Sequence, residues 1–118
     1  MISVINKRRY KTGEIYLVRF HPAAGAELKR YRPGVIISSQ VNKFDPRFTL
    51  IVPLTTGGGI SPKYEMTIKR RGDLAKDSTI LVWYVRTIDV RRIGGKIAEL
   101  NQREVKILKE KLKNLLDL

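Results

Sequence analysis

The sequence predicts a mainly β domain, a small and largely antiparallel barrel or half-barrel with one C-terminal α-helix. Five or more short runs rich in β-branched and aromatic residues are separated by turn residues, which is typical of small all-β folds. After Asn101 the pattern changes, and apolar residues recur at helical spacing. A chain of 118 residues fits one domain, residues 1–118, with its own core.

The first two predicted strands, 14–20 and 34–38, flank a loop that is dense in polar and charged residues. This loop closes on the pair Arg32-Pro33. Because a proline disfavours helical backbone in the residue before it, we expect Arg32 to be extended. A polar loop between two apolar strands is more plausibly a site than a mere connection, so the loop 21–33 is the first candidate site.

The third predicted strand, 48–54, is almost continuously apolar, which favours burial on both faces. It runs into Thr55, Thr56 and three glycines. Asn101, followed by Glu104, predicts a capping box at the start of the final helix. The remaining predicted elements are a turn-rich excursion at 42–47, an alternating strand at 64–68, a basic turn at 69–73, a β-rich run at 78–89 and a tight turn at 93–97.

The net charge of +13 at pH 7 is the most informative property of the composition, and it accompanies a pI near 10.3. Such an excess repels itself in a compact domain, so a polyanionic partner is expected. RNA, DNA, an anionic membrane surface and an acidic protein all qualify. The alternative is a soluble protein from an organism with a lysine-rich proteome. We favour nucleic acid.

Nothing in the sequence predicts a membrane segment or a leader. No apolar run approaches the roughly 20 residues that a membrane helix needs, and the start MISVINKRRYK has its charges after a short apolar stretch, unlike a signal peptide. We therefore expect a cytoplasmic protein that does not bind membranes. The absence of cysteine fits that compartment and removes thiol and disulfide chemistry.

The common catalytic arrangements are missing from the sequence. One histidine and no cysteine exclude an ordinary zinc site and a ribonuclease that works through two histidines. There is no phosphate-binding P-loop and no dinucleotide fingerprint. His21 can in principle act as a general base, but a lone histidine beside a proline in a loop is more often structural. We expect no metal and no cofactor.

The residue types that remain suit the cleavage of a phosphodiester by transition-state electrostatics. Attack of an RNA 2′-hydroxyl builds negative charge on the phosphoryl oxygens, and a fixed guanidinium with a hydroxyl donor stabilises that charge. Arg32, held by Pro33, and Thr55 or Thr56 at the end of a buried strand are the best-placed candidates. Spacing alone does not decide this, because Arg-Pro pairs are common and Thr-Thr before glycine is usually a strand end.

The segment 13–38, GEIYLVRFHPAAGAELKRYRPGVIIS, resembles the opening of the MazF/PemK family of toxins. Nine residues fall on the family pattern in order and spacing: Gly13, Glu14, Ile15, Tyr16, Pro22, Gly25, Glu27, Arg32 and Pro33. The run TLIVPLTT at 49–56 is similar to the third strand of that family, and 77–81 with VRTID at 85–89 resembles its later block. The resemblance covers nearly the whole chain.

This resemblance implies an SH3-like barrel of the MazF/CcdB type that forms a homodimer. It also implies an endoribonuclease that cuts single-stranded RNA at short specific sequences without metal, leaves a 2′,3′-cyclic phosphate and is inhibited by a cognate antitoxin with an acidic tail. The toxin–antitoxin complex is expected to bind DNA. The catalytic pair of the family falls on Arg32 and Thr56, and the positions expected to bind RNA are Glu27, Lys29, Arg30, Thr55, Tyr84 and Arg86.

The chain departs from the family pattern at two places, and these leave other functions open. His21 stands where an acidic or small polar residue is usual, and Trp83-Tyr84 replace an acidic residue and a glutamine that contacts bases in relatives. Tyr84 or Trp83 can stack on a base, or one of them is simply core. The alternatives to the nuclease are a toxin that binds DNA gyrase and a nucleic-acid-binding module that has lost cleavage.

Overall fold

The computed structural model describes residues 10–20, 31–59 and 61–118. It confirms a mainly β fold with a C-terminal helix. The elements in chain order are β1 (Glu14–Val18), β2 (Arg32–Ser38), α1 (Gln40–Phe44), β3 (Phe48–Thr55), β4 (Glu65–Ile68), β5 (Ser78–Leu81), β6 (Arg86–Asp89), β7 (Ile93–Glu99) and α2 (Gln102–Leu115).

The strands form one seven-stranded sheet in which every named pairing is antiparallel. Six of the strands follow the order β4-β5-β3-β2-β1-β7, and the seventh, β6, lies off this path and pairs with β3. Strand β3 organises this sheet because it pairs with three neighbours. It pairs with β2, its residues 48–51 pair with β6, and its residues 54–55 pair with β5. The ends of several strands therefore meet near the C-terminal end of β3.

The turn after β4 brings the two ends of the strand order together, as a barrel requires. The backbone N–H of Asp73 donates to the carbonyl of Ile97 in β7 at 2.7 Å, and the Arg71 guanidinium donates to the carbonyl of Glu99 at 3.4 Å. The predicted basic turn at 69–73 is confirmed, because Arg71 and Leu74 exchange backbone hydrogen bonds across it.

Two hydrophobic clusters lie on opposite faces of the central strands. In β3, Ile51 belongs to one cluster and Val52 to the other, and both side chains are fully buried. The prediction that this strand is buried on both faces is thus confirmed. Because β3 is held on both sides, the residues at its end have a well-supported backbone.

The predicted tight turn at 93–97 was wrong, since these residues lie in β7 and pair with β1. The pairs Tyr16↔Lys96 and Val18↔Ile93 show a register shift, with one more residue on β7 than on β1. Glycines tolerate such bulges inside strands, so Gly94-Gly95 mark an irregular strand. The turn-rich excursion at 42–47 begins within α1 and ends in a turn.

Helix α2 begins with the predicted capping box: the Asn101 side chain accepts from the Glu104 N–H, and Glu104 accepts from the Asn101 N–H. Leu108 is fully buried, and Val105 and Leu112 pack against the same cluster. The apolar face of the helix is therefore part of the core. None of the helices in the described part of the chain has the length and apolar character to span a bilayer.

A two-pronged ion pair joins α2 to the turn after β4. Arg71 donates through both terminal nitrogens to the two carboxylate oxygens of Glu104, one of them at 2.8 Å, and both side chains are largely buried. The hydrogen bonds from Arg71 lower the pKa of the Glu104 carboxyl below its ordinary value of 4.5, and the Asn101 N–H contributes in the same direction.

We expect Glu104→Gln to destabilise the fold by about 1–3 kcal/mol at neutral pH, because it removes charge-assisted hydrogen bonds. Since the pKa of Glu104 is lower in the folded state, its contribution is complete above about pH 4.5 and is lost as the pH falls through the folded value. Urea unfolding at neutral and acidic pH measures this. The difference in the free energy of unfolding between Glu104→Gln and wild type should be smaller at acidic pH than at neutral pH. Lys69→Ala, which removes an exposed partner 3.9 Å from Asp77, should change little at either pH. An equal loss at both pH values in Glu104→Gln would contradict the assignment.

Candidate active site

A cavity of about 160 Å3 lies where the ends of β2, β3 and β6 meet the turn after β5. Its walls come from five separate segments of the chain. The lining residues are Phe20, Arg32, Pro53, Leu54, Thr55, Leu81, Tyr84 and Arg86. Four of the residues that the sequence predicted for the site are therefore brought together here: Arg32, Thr55, Tyr84 and Arg86.

Arg32 is the first residue of β2 and is exposed. It pairs with Val18 of β1, and the next residue, Pro33, pairs with Leu17. The predicted extended backbone of Arg32 is confirmed by this pairing. The backbone of Arg32 is thus anchored in the sheet, while its guanidinium is free to reach a ligand in the cavity.

Gly34 makes the wall beneath Arg32 possible. A Cβ atom at this position would lie 2.9 Å from both the Ile51 Cδ1 and the Phe20 Cζ atoms, which is closer than side chains approach. The missing side chain lets Phe20 pack into the barrel and form an apolar part of the cavity wall. The glycine after Arg32-Pro33 therefore has a steric role.

Arg86 is the first residue of β6 and pairs with Ile51 of β3. Its guanidinium lies 5.5 Å from the centre of the Phe20 ring and 5.7 Å from that of Tyr84, both within cation–π range. It also donates to the Phe20 carbonyl at 3.4 Å. Arg86 is thus a half-buried, well-positioned cation in the cavity wall.

The two threonines at the end of β3 have different environments. Thr55 is the last residue of β3 and pairs with Thr79, and its hydroxyl accepts a hydrogen bond from the Gly57 N–H at 3.2 Å. Thr56, which stands between Thr55 and Gly57 in the chain, is exposed and is not among the residues that line the cavity. The Thr55 hydroxyl therefore shapes a turn in which Thr56 is exposed, directly after a residue that lines the cavity.

The β-rich run at 78–89 is two strands rather than one. β5 ends at Leu81, and the Tyr84 N–H closes a turn by donating to the Leu81 carbonyl at 3.0 Å. Trp83 and Tyr84 lie in this turn, 38% and 41% exposed. The interpretation of either residue as core is therefore wrong.

Charge in the cavity is positive. Its lining includes two guanidinium groups, those of Arg32 and Arg86, and no carboxylate, and within the described ranges neither arginine takes part in a salt bridge. Arg47, Arg71 and Arg91, by contrast, each pair with a carboxylate, and the hydrogen bonds from Arg91 lower the pKa of Asp89 to about 2. The cavity thus suits an anion.

Some residues predicted for the site lie outside the described part of the chain, and one residue that supports the site was not predicted from the sequence. Glu27, Lys29 and Arg30, together with His21, lie outside the described residues. Sequence reasoning missed Glu65, because the alternation of 64–68 predicts exposure at that position. In the structure Glu65 is 6% exposed and accepts from the Trp83 indole N–H at 2.6 Å. Within residues 10–20, 31–59 and 61–118, no group of three or more histidine, cysteine, aspartate or glutamate side chains is arranged to hold a metal ion.

The fold and this cavity can be compared with known proteins. The family model described as PemK-like, MazF-like toxin of type II toxin-antitoxin system matches residues 11–116. An endoribonuclease MazF of Staphylococcus saprophyticus is 34% identical over 100 residues, which cover 81% of this chain and 82% of the relative.

Solved structures agree on the fold. MazF from Deinococcus radiodurans superposes with a TM-score of 0.73 at 24% identity, covering 95% of this chain and 100% of that one. The MazE–MazF structure (Form-II) from the same organism superposes with a TM-score of 0.76 at 22% identity, covering 95% of this chain and 99% of that one. Mycobacterium tuberculosis toxin MazF-mt6 superposes with a TM-score of 0.72 at 21% identity, covering 89% of this chain and 97% of that one. The predicted resemblance is therefore confirmed, and this chain belongs to the family of PemK-like, MazF-like toxins of type II toxin–antitoxin systems.

Proposed function

We propose that this chain is an endoribonuclease toxin that cleaves single-stranded RNA at short specific sequences by attack of a 2′-hydroxyl on the adjacent phosphate, without a metal ion. The observation that carries the proposal is the cavity at the strand ends, which joins two guanidinium groups to an apolar and aromatic wall. The 34% identical relative is named an endoribonuclease, which supports the same activity.

The proposed reaction is a transesterification. The 2′-oxygen loses its proton and bonds to phosphorus, the bond from phosphorus to the 5′-oxygen breaks, and that oxygen takes up a proton. The products are a 2′,3′-cyclic phosphate and a free 5′-hydroxyl. Negative charge grows on the phosphoryl oxygens in the transition state, and positive groups fixed there lower the barrier most.

Arg32 and Thr56 are the proposed catalytic pair. A guanidinium stays protonated in proteins, so Arg32 acts by stabilising charge and by fixing the phosphate through its forked donors. The Thr56 hydroxyl, at the turn after β3, donates to the same phosphate. Thr55 supports the turn through its hydrogen bond with the Gly57 N–H and also lines the cavity.

The remaining predicted residues bind RNA. Arg86 attracts the phosphate backbone without reading sequence, and Lys29 and Arg30 would add the same kind of attraction. Tyr84 offers a ring to an unpaired base. Glu27 is proposed to accept a hydrogen bond from a base edge, or to pair locally with Lys29 or Arg30.

The protein partners follow from the relatives. The similar solved structures include a crystal structure of MazE–MazF from Deinococcus radiodurans and an endoribonuclease in complex with its cognate antitoxin from a mycobacterial species. We propose that a cognate antitoxin with an acidic tail inhibits this chain, since a net charge of +13 favours an acidic partner. The chain is proposed to act as a homodimer and to bind DNA only as the toxin–antitoxin complex.

The test is to incubate the purified chain with a mixed-sequence RNA in excess chelator and to analyse the product ends. Discrete cuts with cyclic phosphate ends are expected. RNA that is bound with a steep salt dependence but stays intact would indicate a binding module without cleavage. Intact RNA together with inhibition of DNA gyrase would indicate a gyrase-directed toxin.

A further inference from the structure

Trp83 and Tyr84 form a stacked aromatic pair, and Tyr84 is part of the cavity wall. Their rings are nearly parallel, 3° apart, with centroids 5.4 Å apart. About two-fifths of each side chain is exposed, and the Tyr84 ring also lines the cavity that holds Arg32. The pair therefore leaves aromatic ring surface accessible to a ligand beside a cationic cavity.

The pair is anchored by a buried carboxylate. Glu65, the first residue of β4, is 6% exposed, and one of its oxygens accepts from the Trp83 indole N–H at 2.6 Å. The other oxygen accepts from the backbone N–H of Ser61 at 2.9 Å. One side chain therefore connects the aromatic pair to the segment that follows the glycine run after Thr56.

Gly59 shows how tightly this carboxylate fits. A Cβ atom at Gly59 would lie 1.9 Å from the Glu65 Oε1 atom and 2.9 Å from its Cδ, whereas a Cβ atom at Gly58 would meet nothing within 4 Å. Neither glycine has a backbone that excludes alanine, because the only described glycines with positive φ are Gly13 and Gly72. The absence of a side chain at Gly59 gives the carboxylate its space.

We propose that Trp83 and Tyr84 are a preformed stacking subsite for one unpaired nucleobase of the substrate, and that Glu65 is the positioning residue that holds it. The proposal rests on the proposed function, because it supplies a base-binding subsite to an enzyme that acts on single-stranded RNA. Stacking on an aromatic face accepts any base, so this subsite contributes affinity and orientation rather than sequence choice.

Preorganisation is the physical advantage of this arrangement. A free indole would lose rotamer freedom when a base stacks on it. The charge-assisted hydrogen bond to Glu65 and the stack with Tyr84 have already removed that freedom. Because the same carboxylate binds the Ser61 N–H, the subsite is also held to the backbone that follows the glycine run.

The chain offers a direct reporter, because Trp83 is its only tryptophan. We would titrate the full chain with a mixed-sequence 2′-O-methyl oligoribonucleotide, which cannot react through its 2′-oxygen, and follow Trp83 fluorescence. An abasic oligonucleotide of equal length is the matched ligand. The base-bearing oligonucleotide should quench Trp83, and the abasic one should bind through its phosphates without quenching. Equal quenching by both, or none at saturation, would overturn the stacking subsite.

Three variants test the role of Glu65. Glu65→Gln keeps the shape but loses the charge-assisted acceptor, and Gly59→Ala displaces the carboxylate sterically. Both should lower the fluorescence anisotropy of Trp83 in the free protein. Both should also weaken base-dependent binding, up to the roughly 5- to 150-fold that the loss of one stacked base costs. Gly58→Ala should behave like wild type in both measurements.

Circular dichroism checks that the variants are folded. If folded Glu65→Gln and Gly59→Ala retain the anisotropy and the quenching of wild type, Glu65 does not hold the subsite. Cleavage of unmodified RNA is measured separately. If the base-bearing oligonucleotide quenches Trp83 but RNA is not cut, the stacking subsite is supported and the proposed nuclease is refuted. If RNA is cut without base-dependent quenching, the nuclease is supported and the stacking subsite is refuted.

Discussion

Arg32→Ala is expected to lower kcat by about 100- to 1,000-fold, the usual effect of removing one fixed donor from a developing oxyanion. Arg32 stands at the start of β2, where its pairing with Val18 fixes the backbone and its side chain reaches the cavity. Single-turnover cleavage of a defined RNA measures the chemical step. Arg32→Lys should recover only part of the rate, because a lysine keeps the charge and loses the forked geometry.

Arg103→Ala is the control for charge alone. It removes one positive charge from the exposed part of α2 and should weaken RNA binding slightly without changing kcat. If Arg32→Ala has no larger effect than Arg103→Ala, Arg32 contributes only to the general attraction between a basic protein and RNA.

Thr56→Ala should lower kcat by about 100-fold while changing RNA affinity little, because its hydroxyl is proposed to act on charge that exists only in the transition state. Thr56→Ser, which keeps the hydroxyl, should stay close to wild type. Binding of a 2′-O-methyl RNA and single-turnover cleavage separate the two quantities. An equal loss in affinity and in rate would contradict a role confined to the transition state.

Thr55→Val decides between the two neighbouring hydroxyls. This substitution preserves the branched shape and removes the acceptor that the Gly57 N–H uses, so it should loosen the turn and lower kcat less than Thr56→Ala does. If Thr55→Val has the larger effect, the catalytic hydroxyl is the one that lines the cavity, and the assignment moves by one residue.

Local rules predicted much of the fold because the relevant interactions lie close together in sequence. The capping box of Asn101 and Glu104 involves residues three positions apart, and it forms as predicted. The extended backbone of Arg32 follows from the neighbouring proline. The long apolar run of β3 is buried on both faces, as continuous hydrophobicity predicts.

The errors arose where a distant partner decides the local structure. Gly94-Gly95 indicated a turn, but β1 supplies hydrogen bonds that hold these glycines in an irregular strand. The alternation at 64–68 predicts a half-exposed strand, in which a glutamate ordinarily takes the solvent side. The burial of Glu65 depends on Trp83, 18 positions away in the chain, and no local pattern contains that contact.

The cavity itself could be predicted only in part. Residue types and the resemblance to the MazF/PemK family together predicted Arg32 and Thr55, the resemblance added Arg86, and the departure from the family pattern drew attention to Tyr84; the structure places all four around one cavity. The sequence pattern predicts Phe20 only as the end of a strand, whereas in the structure it forms part of the cavity wall because Gly34 leaves room for its ring. Such a steric relation between two strands is invisible in the sequence.

The most direct test of the proposed chemistry is a single 2′-deoxy substitution in the RNA. Once a cut site has been mapped, the nucleotide on its 5′ side is replaced by the deoxy form and cleavage is measured in excess chelator. We expect that this bond is no longer cut, while binding and cleavage at other sites are unchanged. Cleavage of the substituted bond at the original rate would contradict attack by the 2′-hydroxyl.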